Sequence, residues 1–200
     1  MSRDLFDVIV LAGGSSSRFG ADKCDFEIDG QTMLDRVTSN FLNPIIVTSK
    51  ERRVSKGVQI LDPDRRGPLA GVAKAIQFLE KPKVFITGCD FPFLKRSLVE
   101  LICSKPELVS TTITCGKIQP LLSCYSTQFL VSRLRSSPSL TDVVYSSPSV
   151  YVVGTREIGM VDPSLKSLIN VNRITDLYSQ RSKLFWHSSI LSNTKSFFVL

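Results

Sequence analysis

The residues best suited to chemistry stand together in the stretch LAGGSSSRFGADK, at positions 11–23. It follows an apolar run and combines three glycines and three serines with Arg18 and Lys23. Glycines let the backbone approach a ligand closely, so successive N–H groups can converge on an anion. An arginine adds a planar fork of donors for phosphate oxygens, and a lysine adds a point charge. The stretch predicts a phosphate-binding loop, with a solvated glycine-rich turn as the alternative.

Two common phosphate-binding templates do not fit this loop. A Walker loop has the spacing GxxxxGK[ST], whereas Gly14 and Gly20 are one residue too far apart and no lysine follows Gly20. The dinucleotide fingerprint GxGxxG is also absent from the stretch. The residue types therefore indicate anion binding, and the spacing leaves the ligand open.

Acidic residues follow two further apolar runs. Asp90 lies in TGCDFPFL after the run KVFIT, and Asp62 and Asp64 lie in LDPDRRGPLAG. A carboxylate at the end of a strand, facing a phosphate loop, is well placed to hold Mg²⁺. The alternative role of Asp90 is to cap a helix near residue 95. Asp62 can accept hydrogen bonds from a base or a ribose, whereas we expect Asp64 to face solvent.

The elements that must position these residues alternate between strands and helices. The first half predicts strands at 6–11, 44–48, 58–61 and 83–87, and helices at 33–41, 69–79 and 98–103. This order predicts a three-layer α/β/α, Rossmann-like domain with a mainly parallel sheet. Ligands in such domains bind beyond the carboxyl ends of the strands, so we expect the loops 13–23, 62–67 and 88–93 to meet at one rim.

The second half has weaker patterns. It predicts strands at 108–115 and 121–125, a helix at 127–134, a mobile connection at 136–149, an outer strand at 151–153 and a closing helix at 174–180. Pro120 suggests that the strand beside it lies at a sheet edge. We expect one domain over residues 1–180, and the packing of the tail, residues 181–200, stays open.

Composition narrows the class of protein. The net charge is +7, but the basic residues form no block of five or more, which favours anionic small molecules over nucleic acid as partners. No apolar stretch approaches the ~18 residues of a membrane span, and the first residues lack a signal-peptide pattern. The expectation is a cytoplasmic protein without a nucleic-acid or membrane partner.

The sulfur and imidazole side chains exclude several mechanisms. The five cysteines form no CxxC pair, and we expect them to be reduced and mostly buried. The single histidine, His187, lies in the tail, which argues against His-dependent nucleophilic catalysis and His-based metal sites.

A phosphate monoester that attacks a nucleoside triphosphate needs no general base, because its second pKa is about 6. Positioning and charge neutralisation are then sufficient for catalysis.

The stretch 11–23 resembles the signature of the molybdenum cofactor guanylyltransferases and their nucleotidyltransferase relatives: LAGG, a small-residue run, Arg, an apolar residue, Gly and Asp-Lys. Three more stretches match in order, RGPLAGV at 66–72, CDFPFL at 89–94 and NVNRITDL at 170–177. The resemblance spans nearly the whole chain and implies the nucleotidyltransferase fold. It implies an enzyme that transfers GMP from Mg-GTP to the phosphate of molybdenum-bearing molybdopterin and releases pyrophosphate.

Carried over by position, the resemblance also implies roles for single residues. Its nucleotide-binding set is Leu11, Ala12, Gly13, Gly14, Lys23, Asp62 and Asp90. It makes Arg18, Lys23 and Asp90 the catalytic residues, with Asp90 as the ligand of Mg²⁺. Asn170 and Asn172 would lie on the pterin side of the cleft. Contacts with molybdoenzymes or cofactor chaperones would follow from such a role.

Three positions depart from the family pattern, and two alternatives stay open. Phe19 stands where Met is usual, Thr48 where an Asn often contacts nucleotide, and Arg173 where Thr is usual.

The same chemistry could use CTP as the nucleotide, or cobinamide phosphate or phospholactate as the acceptor. Relatives that prefer CTP tend to read LAAG, so the double glycine favours GTP. The alternative from another class is a non-catalytic nucleotide-binding or adaptor protein.

Overall fold

A computed structural model describes residues 5–13, 19, 22–64 and 66–177 of the chain. Its strands are β1 (Asp7–Ala12), β2 (Glu27–Ile28), β3 (Gln31–Thr32), β4 (Ile45–Thr48), β5 (Val58–Leu61), β6 (Lys83–Gly88), β7 (Val109–Thr114), β8 (Lys117–Ser126) and β9 (Val150–Val153). Its helices are α1 (Met33–Thr38), α2 (Pro68–Ala75), α3 (Arg96–Cys103), α4 (Thr127–Arg133), α5 (Leu140–Tyr145) and α6 (Thr155–Val161). Short 3₁₀ turns cover Lys23–Asp25, Ile76–Phe78, Lys166–Leu168 and Ile174–Leu177.

Seven strands form one central sheet in the order β5-β4-β1-β6-β8-β7-β9, and β2 pairs with β3 in a separate hairpin. The pairings β5–β4, β4–β1, β1–β6 and β7–β9 are parallel, whereas β8 runs antiparallel to both of its neighbours. A parallel pair needs a crossover connection, and the helices between the strands supply it. The mainly parallel sheet is therefore confirmed.

Helices cover both faces of this sheet, which confirms the three layers. One core cluster joins β1, through Val8 and Val10, to apolar side chains of α1, α3 and α6. The other cluster joins Ile9, on the opposite face of the same strand, to α2, α4 and α5. Parallel strands that are buried on both faces read as continuous apolar runs, which is why β1, β4 and β6 are visible in the sequence.

In the second half, the prediction of a mobile connection at residues 136–149 is wrong, and one helix was not predicted. Residues 136–149 contain α5, whose N-cap Ser139 accepts a hydrogen bond from the backbone of Asp142. Serine followed three residues later by an acid is a helix-start signal that the serines and prolines around it obscured. The structure also adds α6, a helix that the sequence patterns did not predict.

Pro120 does not mark an edge strand, because β8 lies between β6 and β7. The pairing of β8 with β6 covers residues 122–126, and the pairing with β7 shifts register between Thr111 and Ile113. Pro120 therefore occupies an irregular part of a central strand, where a missing N–H costs no regular ladder bond.

The expectation of reduced cysteines is also wrong. Disulfides join Cys24 to Cys89 and Cys103 to Cys124, with Cα–Cα distances of 5.5 and 5.3 Å. Cys115 is exposed and outside both pairs. The partners are 65 and 21 residues apart in the chain, so the fold and not the local spacing brings them together.

Some expectations lie outside the described residues, among them the tail 181–200 and the last residues of the helix predicted at 174–180. The preceding residues of that helix form a 3₁₀ turn, Ile174–Leu177. None of the helices in the described part of the chain is long and apolar enough to cross a membrane.

Candidate active site

A cavity of about 340 Å³ lies at the carboxyl ends of the parallel strands. Its walls are Leu11, Gly13, Lys23, Val47, Asp62, Gly67, Pro68, Gly71, Gly88, Cys89, Asp90 and Leu121. All three loops that were predicted to meet contribute to these walls. The parallel strands β5, β1 and β6 explain the convergence, because each loop follows the carboxyl end of one of them and these ends lie at the same rim, with only β4 between β5 and β1.

Asp90 lies in the turn that follows β6, directly above the end of the strand. A Cβ atom on Gly88 would overlap Asp90 Oδ1, so the absence of a side chain at Gly88 gives the carboxylate its position. Asp90 does not cap a helix, since α3 begins at Arg96 with Lys95 at its N-cap and without a side-chain capping bond. The alternative structural role of Asp90 is therefore wrong, and its carboxylate faces the cavity.

Lys23 meets this carboxylate from the first loop. Its Nζ atom lies 3.2 Å from Asp90 Oδ2 and 3.3 Å from Asn172 Oδ1. Lys23 opens a 3₁₀ turn that is capped by Asp22, whose carboxylate accepts a hydrogen bond from the Cys24 N–H. The disulfide of Cys24 to Cys89 ties the same turn to the residue before Asp90.

The late NVN motif lies against Lys23 and Asp90. The Val171 N–H donates to the Asp90 carbonyl at 2.8 Å, and Asn172 Nδ2 donates to Asn170 Oδ1 at 2.7 Å. Asp176 accepts hydrogen bonds from the backbone N–H groups of Asn172 and Arg173 at 2.9 and 2.8 Å. The backbone thus holds the motif, and the unusual Arg173 side chain is exposed.

Phe19 serves as the apolar residue that the loop needs. It is buried with Met33 and Val171 in a small cluster, and its ring meets Phe26 edge-on with centroids 5.1 Å apart. Because Val171 belongs to the same cluster, this packing joins the first loop to the NVN segment. The replacement of a usual Met by Phe is therefore compatible with the site.

Asp62 lines the other end of the cavity and is buried. Lys74 Nζ lies 2.6 Å from Asp62 Oδ1, and this contact raises the pKa of the lysine. Gly71 lets α2 approach, since a Cβ atom there would lie 3.3 Å from Val47 and 3.7 Å from Asp62 Oδ2. Asp64 is exposed, as expected, and Lys74 is a partner of Asp62 that the sequence reasoning missed. Its position on the first helix after Asp62 was the available signal.

The remaining predicted residues have mixed outcomes. Gly14 and Arg18 lie outside the described residues, and so does His187. Ala12 is buried, and its carbonyl accepts a hydrogen bond from Arg52, a residue that the sequence reasoning also missed. Thr48 is buried, and its hydroxyl donates to the Lys50 carbonyl at 2.8 Å. In the described ranges, no three His, Cys, Asp or Glu side chains are grouped so that they could hold a metal ion.

The family model of the MobA-like NTP transferase domain matches residues 8–150. The chain belongs to this family. Among its relatives is the molybdenum cofactor guanylyltransferase of Desulfosudis oleivorans, 30% identical over 183 residues, which are 84% of this chain and 91% of the relative. A probable molybdenum cofactor guanylyltransferase of Pyrococcus horikoshii is 30% identical over 189 residues, 84% of this chain and 95% of the relative.

A solved structure has the same fold. The molybdopterin-guanine dinucleotide biosynthesis protein A of Archaeoglobus fulgidus superimposes with a TM-score of 0.71 at 19% identity, covering 92% of this chain and 100% of that one. As a MobA-like NTP transferase domain, the chain is a nucleotidyltransferase.

Proposed function

We propose that this enzyme transfers GMP from GTP to the phosphate of molybdenum-bearing molybdopterin. The products would be pyrophosphate and the guanine dinucleotide form of the molybdenum cofactor. The observation that carries the proposal is the meeting of Lys23, Asp90 and Asn172 at one edge of a cavity in a MobA-like domain. The names of the Desulfosudis and Pyrococcus relatives support the choice of donor and acceptor.

The nucleotide would occupy the cavity between Asp62 and Lys23. Leu11, Gly13 and Gly71 line this space, and Gly71 adds no side chain to it. Asp62 would accept hydrogen bonds from the nucleoside while Lys74 holds its carboxylate in place. Lys23 would contact the phosphates, with Gly14 and Arg18 of the same loop as further phosphate contacts.

The oxygen donors at this edge fit Mg²⁺. Mg²⁺ in nucleotide sites is held by one or two carboxylates together with substrate phosphates, so a single carboxylate beside a phosphate position is sufficient. Asp90 would hold the ion. When bound, Mg²⁺ would offset phosphate charge on the nucleotide.

The reaction would need no general base from the protein. An oxygen of the acceptor phosphate, already ionised near neutral pH, would form the new bond to the α-phosphorus of GTP. The bond from that phosphorus to the bridging oxygen would break, and pyrophosphate would leave with the electron pair. Lys23 would stabilise the charge that builds on the leaving group, and Asn170 and Asn172 would orient the acceptor.

The proposal includes the extent of the enzyme and its setting. We assign residues 1–180 to one nucleotidyltransferase domain, since the described elements from β1 to the turn at Ile174–Leu177 surround one sheet. We place the reaction in the cytoplasm, with GTP and the molybdopterin acceptor as its small-molecule partners. Delivery of the product to a molybdoenzyme or a cofactor chaperone completes the proposed role.

A nucleotide-selectivity assay tests this proposal. Pyrophosphate release is measured with GTP, CTP, ATP and UTP, each with molybdopterin, with phospholactate and with no acceptor, and the nucleotide product is identified by mass. We expect release with GTP and molybdopterin only. Release with CTP, or with phospholactate, would reassign the substrate within the same chemistry. No release under any combination would refute the enzymatic role.

A further inference from the structure

Arg52 is a buried cation close to the candidate site but outside the cavity wall. Only 3% of its side chain is exposed. Removing a guanidinium from water is costly unless carboxylates and hydrogen bonds replace the lost hydration. Arg52 therefore needs several partners, and they identify what it does.

The partners of Arg52 come from three different elements. Its Nε atom donates to Thr48 Oγ1 at 2.9 Å, at the end of β4. Its Nη2 atom donates to the Ala12 carbonyl at 3.3 Å, at the end of β1. The same atom donates to Asp22 Oδ2 at 2.7 Å, and Nη1 donates to Asp25. Asp22 caps the turn that begins with Lys23 and Asp25 is its last residue, so one side chain joins that turn to two strand ends.

The backbone of Arg52 is itself held. Its N–H donates to Gln59 Oε1 at 3.0 Å, and Gln59 Nε2 donates to its carbonyl at 2.7 Å. Gln59 belongs to β5, so the guanidinium is supported by the sheet although Arg52 lies in a loop. The chain of contacts runs from the sheet through Arg52 to the turn of Lys23.

The charges near the turn explain why Lys23 depends on this arrangement. Two acidic residues, Asp22 and Asp25, lie one and two positions from Lys23 in the sequence. Burial opposes ionisation of Asp22, but hydrogen bonds from Arg52 and Lys50 outweigh it and lower the pKa of this carboxyl. Lys50 adds contacts of 3.1 and 2.9 Å to Asp22 and Asp25. Other cations thus neutralise the local carboxylates, and Lys23 reaches across to Asp90.

We propose that Arg52 is a positioning residue for the transfer reaction: it holds the turn at Asp22–Asp25 so that Lys23 presents its ammonium to Asp90 and to the phosphates of the nucleotide. The phosphate part of this inference rests on the proposed function. Arg52 does not touch the cavity, so it acts through Lys23 rather than on the substrate. Without it, we expect Asp22 and Asp25 to compete with Asp90 for the lysine.

The chain contains a matched control. Arg53 is the next residue and carries the same charge, but its side chain is exposed. The variants are Arg52→Ala, Arg52→Lys and Arg53→Ala. Arg52→Lys keeps a buried cation, but an ammonium has three N–H donors for the four acceptors that the guanidinium meets. This variant therefore serves if Arg52→Ala fails to fold. Circular dichroism and thermal melts establish that each variant used is folded.

The first measurement needs no nucleotide. The rate at which acetic anhydride labels Lys23 is followed by mass spectrometry, with Lys105, an ion-paired lysine of similar exposure, as the internal reference. We expect the Arg52 variants to change Lys23 labelling several-fold while Lys105 stays constant, and Arg53→Ala to match the wild type. Unchanged Lys23 labelling in a folded Arg52 variant would overturn the inference.

The second measurement separates positioning from general stability. Binding of GTP, pyrophosphate and guanosine is compared by calorimetry below the melting temperature. We expect Arg52→Lys to weaken the binding of GTP and of pyrophosphate about tenfold and to leave the affinity for guanosine unchanged. The reason is that only the phosphate end of the nucleotide depends on Lys23. An equal loss for all three ligands would mean a structural role only. If the wild type binds no GTP, the proposed function fails, and the labelling result still decides the role of Arg52.

Discussion

Lys23 Nζ lies 3.2 Å from Asp90 Oδ2, although 67 residues separate the two in the chain. Both side chains are mostly buried, with 16% and 12% of their surfaces exposed. A pair at this depth is screened less by salt than a surface pair, so each partner influences the other strongly. The pair brings the proposed phosphate contact and the proposed Mg²⁺ ligand together before any substrate binds.

Replacement of Asp90 by Asn is expected to remove Mg²⁺-dependent turnover and to leave the fold intact. The amide keeps the shape of the side chain but loses the charge, so we expect the rate to fall by about 10²-fold or more. Pyrophosphate release is measured over a range of Mg²⁺ concentrations. Asp64→Asn, an exposed change of the same kind, is the control. A wild-type rate in Asp90→Asn would remove Asp90 from the site.

Replacement of Lys23 by Met is expected to weaken the binding of GTP about tenfold, because the variant keeps the length of the side chain but loses the ammonium group. The affinity for guanosine is expected to stay near that of the wild type. Both are measured by calorimetry, with the exposed Lys117→Met as control. An unchanged dissociation constant for GTP would count against the phosphate role of Lys23.

Replacement of Gly88 by Ala tests how Asp90 is positioned. The new Cβ atom would overlap Asp90 Oδ1, so the carboxylate must move and we expect activity to be lost. Gly159→Ala is the matched control, since no atom lies within 4 Å of the new Cβ atom. At this helical position the change is expected to stabilise the protein by up to about 1 kcal/mol. Full activity in a Gly88→Ala variant would contradict the close approach.

Asp162 predicts a pH dependence of stability. It is fully buried, and its carboxylate meets Lys95 Nζ, Ser164 Oγ and the Ser167 N–H, each at 2.8 Å. Burial opposes ionisation, but these contacts outweigh it and lower the pKa of Asp162. Its contribution to stability is therefore complete above the unfolded pKa of about 4 and is lost as the pH falls through the lower folded value.

Asp162→Asn is expected to cost about 2 kcal/mol of unfolding free energy at pH 7. The difference in unfolding free energy between this variant and the wild type is expected to narrow below a pH of about 4. There the unfolded chain begins to bind a proton at Asp162, while the folded carboxylate is protonated only at lower pH. Urea denaturation at pH 7, 5 and 3 measures both effects. A difference that stays constant over this range would show that the charge of Asp162 contributes nothing.

The two disulfides are expected to differ in their effect on activity. Loop-closure entropy predicts that serine replacements of Cys24 and Cys89 cost about 4 kcal/mol, and those of Cys103 and Cys124 about 3 kcal/mol. Only the first pair lies beside Lys23 and Asp90, so we expect only that variant to lose turnover at temperatures where both are folded. Thermal melts and pyrophosphate release measure the two effects. Equal turnover in both variants would argue against a local role of the Cys24–Cys89 disulfide in the site.

Much of the fold and part of the site could be predicted from local sequence. The strands β1, β4 and β6 are apolar runs that end in loops with glycine or acidic residues, and both features are visible within a few residues. The three loops were correctly expected at one rim, because parallel strand order has only one edge for carboxyl ends. The central place of β8 and the helix α5 were not predicted, since strand pairing is a long-range choice and the capping signal of α5 was short.

The sequence alone thus determined the fold class, and it predicted both the loops that meet at the rim and the candidate site residues Lys23, Asp62 and Asp90. Only the tertiary structure decided which groups these residues meet: Lys74 beside Asp62, Asn172 beside Lys23, and the link from Cys24 to Cys89. It also decided that Arg52 is buried among Asp22, Asp25 and Thr48. The physical reason is that the sequence around a charged residue or a cysteine does not indicate which distant residue it will contact. That contact depends on the crossover connections, which bring loops that are far apart in the chain to the same rim of the sheet.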